Sequence, residues 1–289
     1  MRHICYFCHL RSVGELIEKF NPSEEISDLL IQKVHNSLTQ NWDAPNPQIA
    51  AGFHRIVKEV LGINDLYASE KESANKVLLK DYDYWKLFVN NSENPFQTAA
   101  RLAVVGNIID YGAHSLKGEL ITQIKELLKT SLYLDETESL RKAVAQAKSI
   151  LYLGDNAGEA VFDKLFIEKI YDSVKGNKNY PKVTFVCRGT PVINDMTLED
   201  AKRVGIDKVC EIIDNGSDAP STVLPECSLE FQKRYKEADL IISKGQGNLE
   251  GLVFEHHPNT YFMLIAKCKP MAEILSIPTM KMVVTKRQF

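Results

Sequence analysis

The sequence predicts an α/β fold: a helical N-terminal region over residues 1–148 and an α/β core over residues 149–289 with a mostly parallel sheet. Three observations predict it. Before residue 148 the apolar residues recur at helical spacing, and no strand candidate interrupts them. From Ser149 the period changes, and short β-rich runs alternate with amphipathic helices, the signature of βαβ units. Three of those runs end in polar, glycine-bearing loops, where an open parallel sheet binds its ligands.

The elements follow in order. Ser23 can cap a helix whose apolar positions are Ile26, Leu29, Leu30, Val34 and Leu38, with Glu24 and Glu25 in its first turn. Pro45 and Pro47 break the chain, and Ile49 to Val60 reads as a helix stopped at Gly62. Ser69 is read as the cap of another, through Leu79. Pro95 opens an apolar helix from Phe96 to Ile109, closed near Gly112; Leu116–Leu128 and Glu136–Ala147 follow. The strand runs are 149–153, 182–187, 208–213, 239–243, 260–266 and 280–284. Between them, Glu159–Val174 carries Val161, Phe162, Leu165, Phe166 and Ile170 on one face. Thr197-Leu198-Glu199-Asp200 resembles a capping box for a short helix ended by Gly205, and Ser228 caps one ending near Ala238. The helices of the first half are expected to form a cap against the sheet.

Composition narrows the function. A net charge of −3 gives no footprint for nucleic acid. No apolar stretch approaches the ~18 residues of a membrane span. The N-terminus lacks the apolar segment of a signal peptide, so a cytoplasmic protein with mostly free thiols among its six cysteines is expected. Nothing in the chain excludes an oligomer.

The three loops carry the chemistry. Asp155 and Asn156, in Gly154–Glu159, offer hard oxygen ligands suited to Mg²⁺ or Mn²⁺ ahead of a helix whose free amides favour phosphate. Alone, the pair reads first as an Asx-turn and cap. Asp195 ends the second loop, which also holds Arg188, able to grip phosphate with its fork. Two acidic strand ends meeting in one cleft repel unless a cation lies between them. The third loop, Lys244-Gly245-Gln246-Gly247-Asn248, offers a lysine and backbone amides to an anion but lacks the P-loop spacing. Asn107 and Asp110 share one face of an otherwise apolar helix, which suits either an internal hydrogen bond and cap or a face turned into the cleft.

Together these segments resemble the damage-control phosphatase family, formerly a domain of unknown function. The residues that carry the resemblance are GDNAGE (154–159), RGTPVINDMTLEDA (188–201), ISKGQGN (242–248), GNIIDYG (106–112) and CYFC (5–8), in the expected order over nearly the whole chain. The last of these points to the prokaryotic branch. The resemblance implies a Rossmann-like three-layer α/β/α core. It also implies hydrolysis of small phosphorylated metabolites, damaged or side-product sugar phosphates among them, with Mn²⁺, Mg²⁺, Ni²⁺ or Co²⁺. It puts the metal on Asp155, Asn156 and Asp195, and phosphate on Lys244. Catalytic roles extend to Asp155, Glu159 and Arg188. Substrate contacts extend to Asn107, Asp110, Gly245, Gln246, Gly247 and Asn248.

A bound ion would polarise phosphoryl oxygens and acidify a water, with Asp155 as ligand; a covalent aspartyl intermediate is the variant reading, although the Asp-x-Asp pattern is absent. An alternative class is a carboxyl methyltransferase using S-adenosylmethionine. It would want an acid closing the second strand, where Cys187-Arg188 stands. Cys5-x-x-Cys8-His9 matches a haem-attachment string. Without an export signal, and with too few neighbours for a zinc site, the two thiols are expected simply at the start of the first helix.

Overall fold

The computed structural model describes residues 2–107, 117–177 and 180–286. The first half runs α1 (His3–Phe20), α2 (Glu24–Gln40), α3 (Asn46–Leu61), α4 (Ala68–Lys80), α5 (Tyr82–Asn90), α6 (Pro95–Val105), α7 (Lys117–Lys129), β1 (Leu134–Asp135) and α8 (Thr137–Gln146). The second runs β2 (Ser149–Leu153), α9 (Ala160–Ser173), β3 (Lys182–Cys187), α10 (Leu198–Val204), β4 (Glu211–Asp214), α11 (Leu229–Glu237), β5 (Leu240–Lys244), α12 (Gly245–Leu252), β6 (Thr260–Ile265), α13 (Lys269–Leu275) and β7 (Met282–Lys286). Among the described residues no helix is long and apolar enough to cross a membrane.

The caps explain most boundaries. Ser23 Oγ accepts from Ile26 N, Ser228 Oγ accepts from Phe231 N, and Thr197 and Asp200 close a reciprocal capping box. Other expectations are corrected. Ser69 is not a cap: it lies inside α4 and its hydroxyl donates to Glu70. Two residues of the first half, Leu134 and Asp135, form an edge strand, too short to show a period. Helix α5 was not anticipated. Helix α6 ends at Val105; the expected continuation to Ile109 and its stop near Gly112 lie outside the described residues. The third glycine-bearing segment is not a loop, for Gly245 opens α12 directly from β5.

The sheet order is β1-β7-β6-β5-β2-β3-β4. Neighbouring strands are parallel except β6 and β7. From β2 the chain winds outward through β3 and β4, then returns to the other side of β2 as β5. The order therefore reverses between β2 and β5, and the carboxyl ends of those two strands flank a crevice, the ligand position of doubly wound sheets.

Alternation along the strands builds three layers. Ile150 and Tyr152 face one core with Trp85, Phe162 and Phe166; Leu151 and Leu153 face the other with Phe231, Leu249 and Met271. Helices α4 to α10 feed the first core, and α11 to α13 the second. Helices α1 to α3 have a core of their own, around Leu16, Val34 and Phe53. Helix α9 lies deepest: Phe162, Leu165 and Phe166 are fully buried, each adding ~1.5–3 kcal/mol. Its polar residues are therefore held on a rigid support.

Candidate active site

The crevice at the reversal is built by two loops zipped together. Asp155 O accepts from Met196 N and Asn194 O accepts from Ala157 N, both at 2.9 Å, while Asn156 and Asp195 form an isolated antiparallel bridge. Backbone pairing thus sets Asp155, Asn156 and Asp195 side by side. The start of α12 closes on them. Gly245 has φ +76°, and a Cβ there would lie 1.9 Å from Asp155 Oδ2. Only glycine allows that approach.

The helical half supplies Asn107, just past α6. Its Nδ2 donates to Asp155 Oδ2 and to Glu159 Oε1, each at 3.0 Å. Asn156 adds Nδ2 to Asp155 Oδ2 at 2.9 Å and its backbone N–H to Glu159 Oε1 at 2.8 Å. Asn75, from α4, accepts from Gly158 N at 2.7 Å, and Lys58, from α3, donates to Pro191 O at 2.8 Å. The N-terminal helices thus hold both loops. Asp110 lies outside the described residues.

Both predicted cations are paired to carboxylates. Arg188, 2% exposed, directs Nε to Asp195 Oδ2 at 2.5 Å, Nη1 to Asn248 Oδ1 at 3.0 Å and Nη2 to Asp155 Oδ1 at 3.5 Å. Lys244, fully buried, donates to Asp163 Oδ1 at 2.6 Å and Glu159 Oε2 at 3.4 Å. The sequence showed no acid in the loop of Lys244; its partners come from α9. Asn248 braces the crevice floor, donating to Gly154 O and Lys244 O. Gln246 Oε1 accepts from Lys267 N at 2.8 Å and Cys268 N at 3.3 Å. A Cβ on Gly247 would meet Pro220 O at 2.5 Å.

Three residues escaped the sequence reading. Asp163 stands one helical turn after Glu159, fully buried, and also accepts from Tyr152 OH at 2.7 Å. An acid inside the apolar run Phe162 to Phe166 was the signal for it. Tyr152 is the second, a hydroxyl in a buried strand. Lys267, exposed just past β6, is the third, and no glycine-bearing loop marks the end of that strand. Its charge reaches Asp155 and opposes the rise of that carboxyl's pKa. Among the described residues no carboxylate pairs with its ammonium.

The electrostatics favour a cation. Among the described residues Asp155, Glu159, Asp163 and Asp195 are ion-paired only with Arg188 and Lys244, so four buried carboxylates share two paired cations, with Lys267 acting on Asp155 without an ion pair. Burial, then Asp195 and Glu159, push the Asp155 carboxyl well above the usual range. Burial also raises Asp195 against the pull of Arg188, and raises Asp163 to about 6 against Lys244. Asp195 Oδ1 is buried without a hydrogen-bond partner, an orphan that a cation would satisfy. Among the described residues no three His, Cys, Asp or Glu side chains are grouped to hold an ion. The expected set is two carboxylates and the Asn156 amide, all hard oxygen donors that fit a small divalent ion.

A cavity of about 670 Å³ opens at the opposite end of the strands, lined by Asp239, Glu255, His256 and Asn259 among others. Its lining also holds Lys142, Lys236 and Lys286, and it lies away from the strand-order reversal.

The damage-control phosphatase ARMT1-like domain matches residues 1–283. The chain belongs to this family. A damage-control phosphatase of Archaeoglobus fulgidus is 32% identical over 280 residues, covering 95% of this chain and 94% of the relative. An uncharacterised protein of Methanocaldococcus jannaschii is 33% identical over 293 residues (98% and 94%). A damage-control phosphatase of Pyrococcus horikoshii is 33% identical over 229 residues (79% and 77%). The crystal structure of a DUF89 family protein from Pyrococcus horikoshii superposes with TM-score 0.92 at 28% identity, covering 100% of this chain and 99% of that one. The family and the two relatives named damage-control phosphatases support a phosphatase of metabolite repair, hence a hydrolase.

Proposed function

We propose that this damage-control phosphatase homologue is metal-dependent and hydrolyses phosphate monoesters of small metabolites, sugar phosphates among them. Asp155, Asn156 and Asp195 would hold Mn²⁺, Mg²⁺, Ni²⁺ or Co²⁺. The observation that carries the reading is the group of four buried carboxylates with only two ion-paired cations among the described residues at the strand-order reversal, with Asp195 Oδ1 unpartnered. Cys5 and Cys8 support the prokaryotic branch, and with it a cytoplasmic protein whose partner is a small phosphorylated metabolite rather than nucleic acid or membrane.

Bound there, the ion would polarise a phosphoryl oxygen and lower the pKa of a coordinated water. The chain's own residues do the rest. Asn107 and Asn156 fix Asp155 through two hydrogen bonds to Oδ2. The Asp-x-Asp pattern of aspartyl-phosphate chemistry is absent, which favours a ligand over a nucleophile. Lys244 acts through Glu159 and Asp163, as a positioning cation. Lys267 and the amides that open α12 receive the phosphate charge. Against the methyltransferase alternative, β3 ends in Cys187 with Arg188 next, and the arginine is engaged by Asp195.

The test is turnover of p-nitrophenyl phosphate and a panel of phosphorylated metabolites by metal-stripped protein, with each of the four ions added back. Turnover should appear only with the ion. Full activity in chelator would overturn the reading, as would methyl transfer from labelled S-adenosylmethionine without phosphate release.

A further inference from the structure

Cys5 and Cys8, three residues apart near the start of α1, share one face of that helix. Both are free thiols, Cys5 half-buried and Cys8 exposed. The start of α1 is tied to α13, because Arg2 Nη1 donates to Glu273 Oε2 at 2.6 Å. Cys268, half-buried and also free, is the residue that caps α13. Cys5 lies within electrostatic reach of Glu250, Cys268 and Cys8, and Cys268 within reach of Glu250 and Cys8. Opposite ends of the chain thus bring three thiols to one seam between α1, α12 and α13.

The seam touches the candidate active site through one side chain. Gln246, in the first turn of α12, accepts from the backbone of both Lys267 and Cys268. A change at Cys268 is therefore felt by the residue next to it, Lys267, and by the helix that closes over Asp155. The phosphatase mechanism uses none of the three thiols.

We propose that these cysteines form a redox-modification site in which a disulfide between Cys8 and Cys268 staples α1 to α13. The oxidant is a small disulfide of the glutathione class. The Cys8 thiolate attacks one sulfur of the reagent, forming a mixed disulfide and expelling one thiolate. The Cys268 thiolate then attacks the Cys8 sulfur, forming the Cys8–Cys268 bond and expelling the second thiolate. Two cysteine thiols lose two electrons, the reagent gains them, and the two protons leave on its thiols. Burial raises the thiols of Cys5 and Cys268, so the exposed Cys8 meets the reagent first.

The test uses the full chain equilibrated over a series of oxidised-to-reduced glutathione ratios, then alkylated and mapped without reduction. Two of the six thiols should disappear together, with one cross-linked peptide joining the segments of Cys8 and Cys268. Cys268→Ser should stop at a glutathione adduct on Cys8, whereas Cys227→Ser should leave the cross-link intact. Six alkylatable thiols throughout, or a bond confined to Cys5 and Cys8, would overturn the proposal. So would a stoichiometric metal in the reduced protein that Cys268→Ser releases. No arm reads phosphatase activity, so failure here leaves that reading standing, and the reverse holds.

Discussion

Replacing Lys244 with Met removes the only ion partner, among the described residues, of two fully buried acids, Asp163 at 2.6 Å and Glu159 at 3.4 Å. Breaking a buried pair costs ~3–5 kcal/mol when the remaining charge stays ionised. It costs nearer ~1 kcal/mol, one hydrogen bond, when the orphaned acid can be neutralised by a proton. Which cost applies depends on pH. Burial lifts Asp163 to about 6 even with Lys244 pulling it down, above the ~3.9 of an unfolded aspartate. A group raised in this way stabilises the fold below its unfolded pKa and loses that contribution as pH climbs through its folded pKa. Without Lys244 the folded pKa of Asp163 rises further, so the variant keeps losing stability over pH values where wild type has stopped. The gap between the two should be small at about pH 5 and widen above about pH 6, by at most ~1.4 kcal/mol per pH unit for each proton involved.

Urea unfolding of metal-stripped wild type and Lys244→Met at about pH 5 and about pH 8 measures the gap, with matched m-values confirming that the denatured state is unchanged. Adding Asp163→Asn to Lys244→Met should flatten the pH dependence, because the titrating group is gone. A gap equal at both pH values would refute the pairing argument, and so would a double variant as pH-sensitive as the single one.

Further predictions follow from the same geometry. A divalent ion at ~100 times its Kd should stabilise wild type by ~2.7 kcal/mol; Asp195→Asn should abolish the rise in Tm read by scanning calorimetry. Lys267→Met should lower kcat/KM for phosphate esters on the order of 10²-fold and leave Tm unchanged, since the side chain is exposed; an unaltered kcat/KM in steady-state assays would remove it from the site. Gly245→Ala forces a Cβ to 1.9 Å from Asp155 Oδ2 at φ +76°, so a stability loss of ~1–3 kcal/mol should come with loss of the ion-induced Tm shift.

What the sequence disclosed and what it withheld have separate physical causes. Continuous β-rich apolar runs located β2, β3, β5 and β6 because both of their faces are buried, and cap residues such as Ser23, Thr197 and Ser228 fixed helix starts through local hydrogen bonds. Those signals are written within a few residues. Edge strand β1 owes its existence to β7, most of the chain away, and no local pattern encodes it. The same division runs through the site. Asp155, Asn156 and Asp195 were legible because strand ends in a parallel sheet converge by topology. The pairing of Lys244 was not, since it depends on the rotation of α9, which points Glu159 and Asp163 at the end of β5. That pairing changes the chemistry assigned to the lysine. A buried cation already matched by two carboxylates has little charge left for a dianionic phosphate, whereas an exposed lysine at the next strand end has all of it. If Lys244 received the phosphate directly, Lys244→Met would cost activity at every pH and Lys267→Met would cost little. If it positions Glu159, rate and stability of Lys244→Met should decline together as pH rises, and Lys267→Met should carry the loss in kcat/KM.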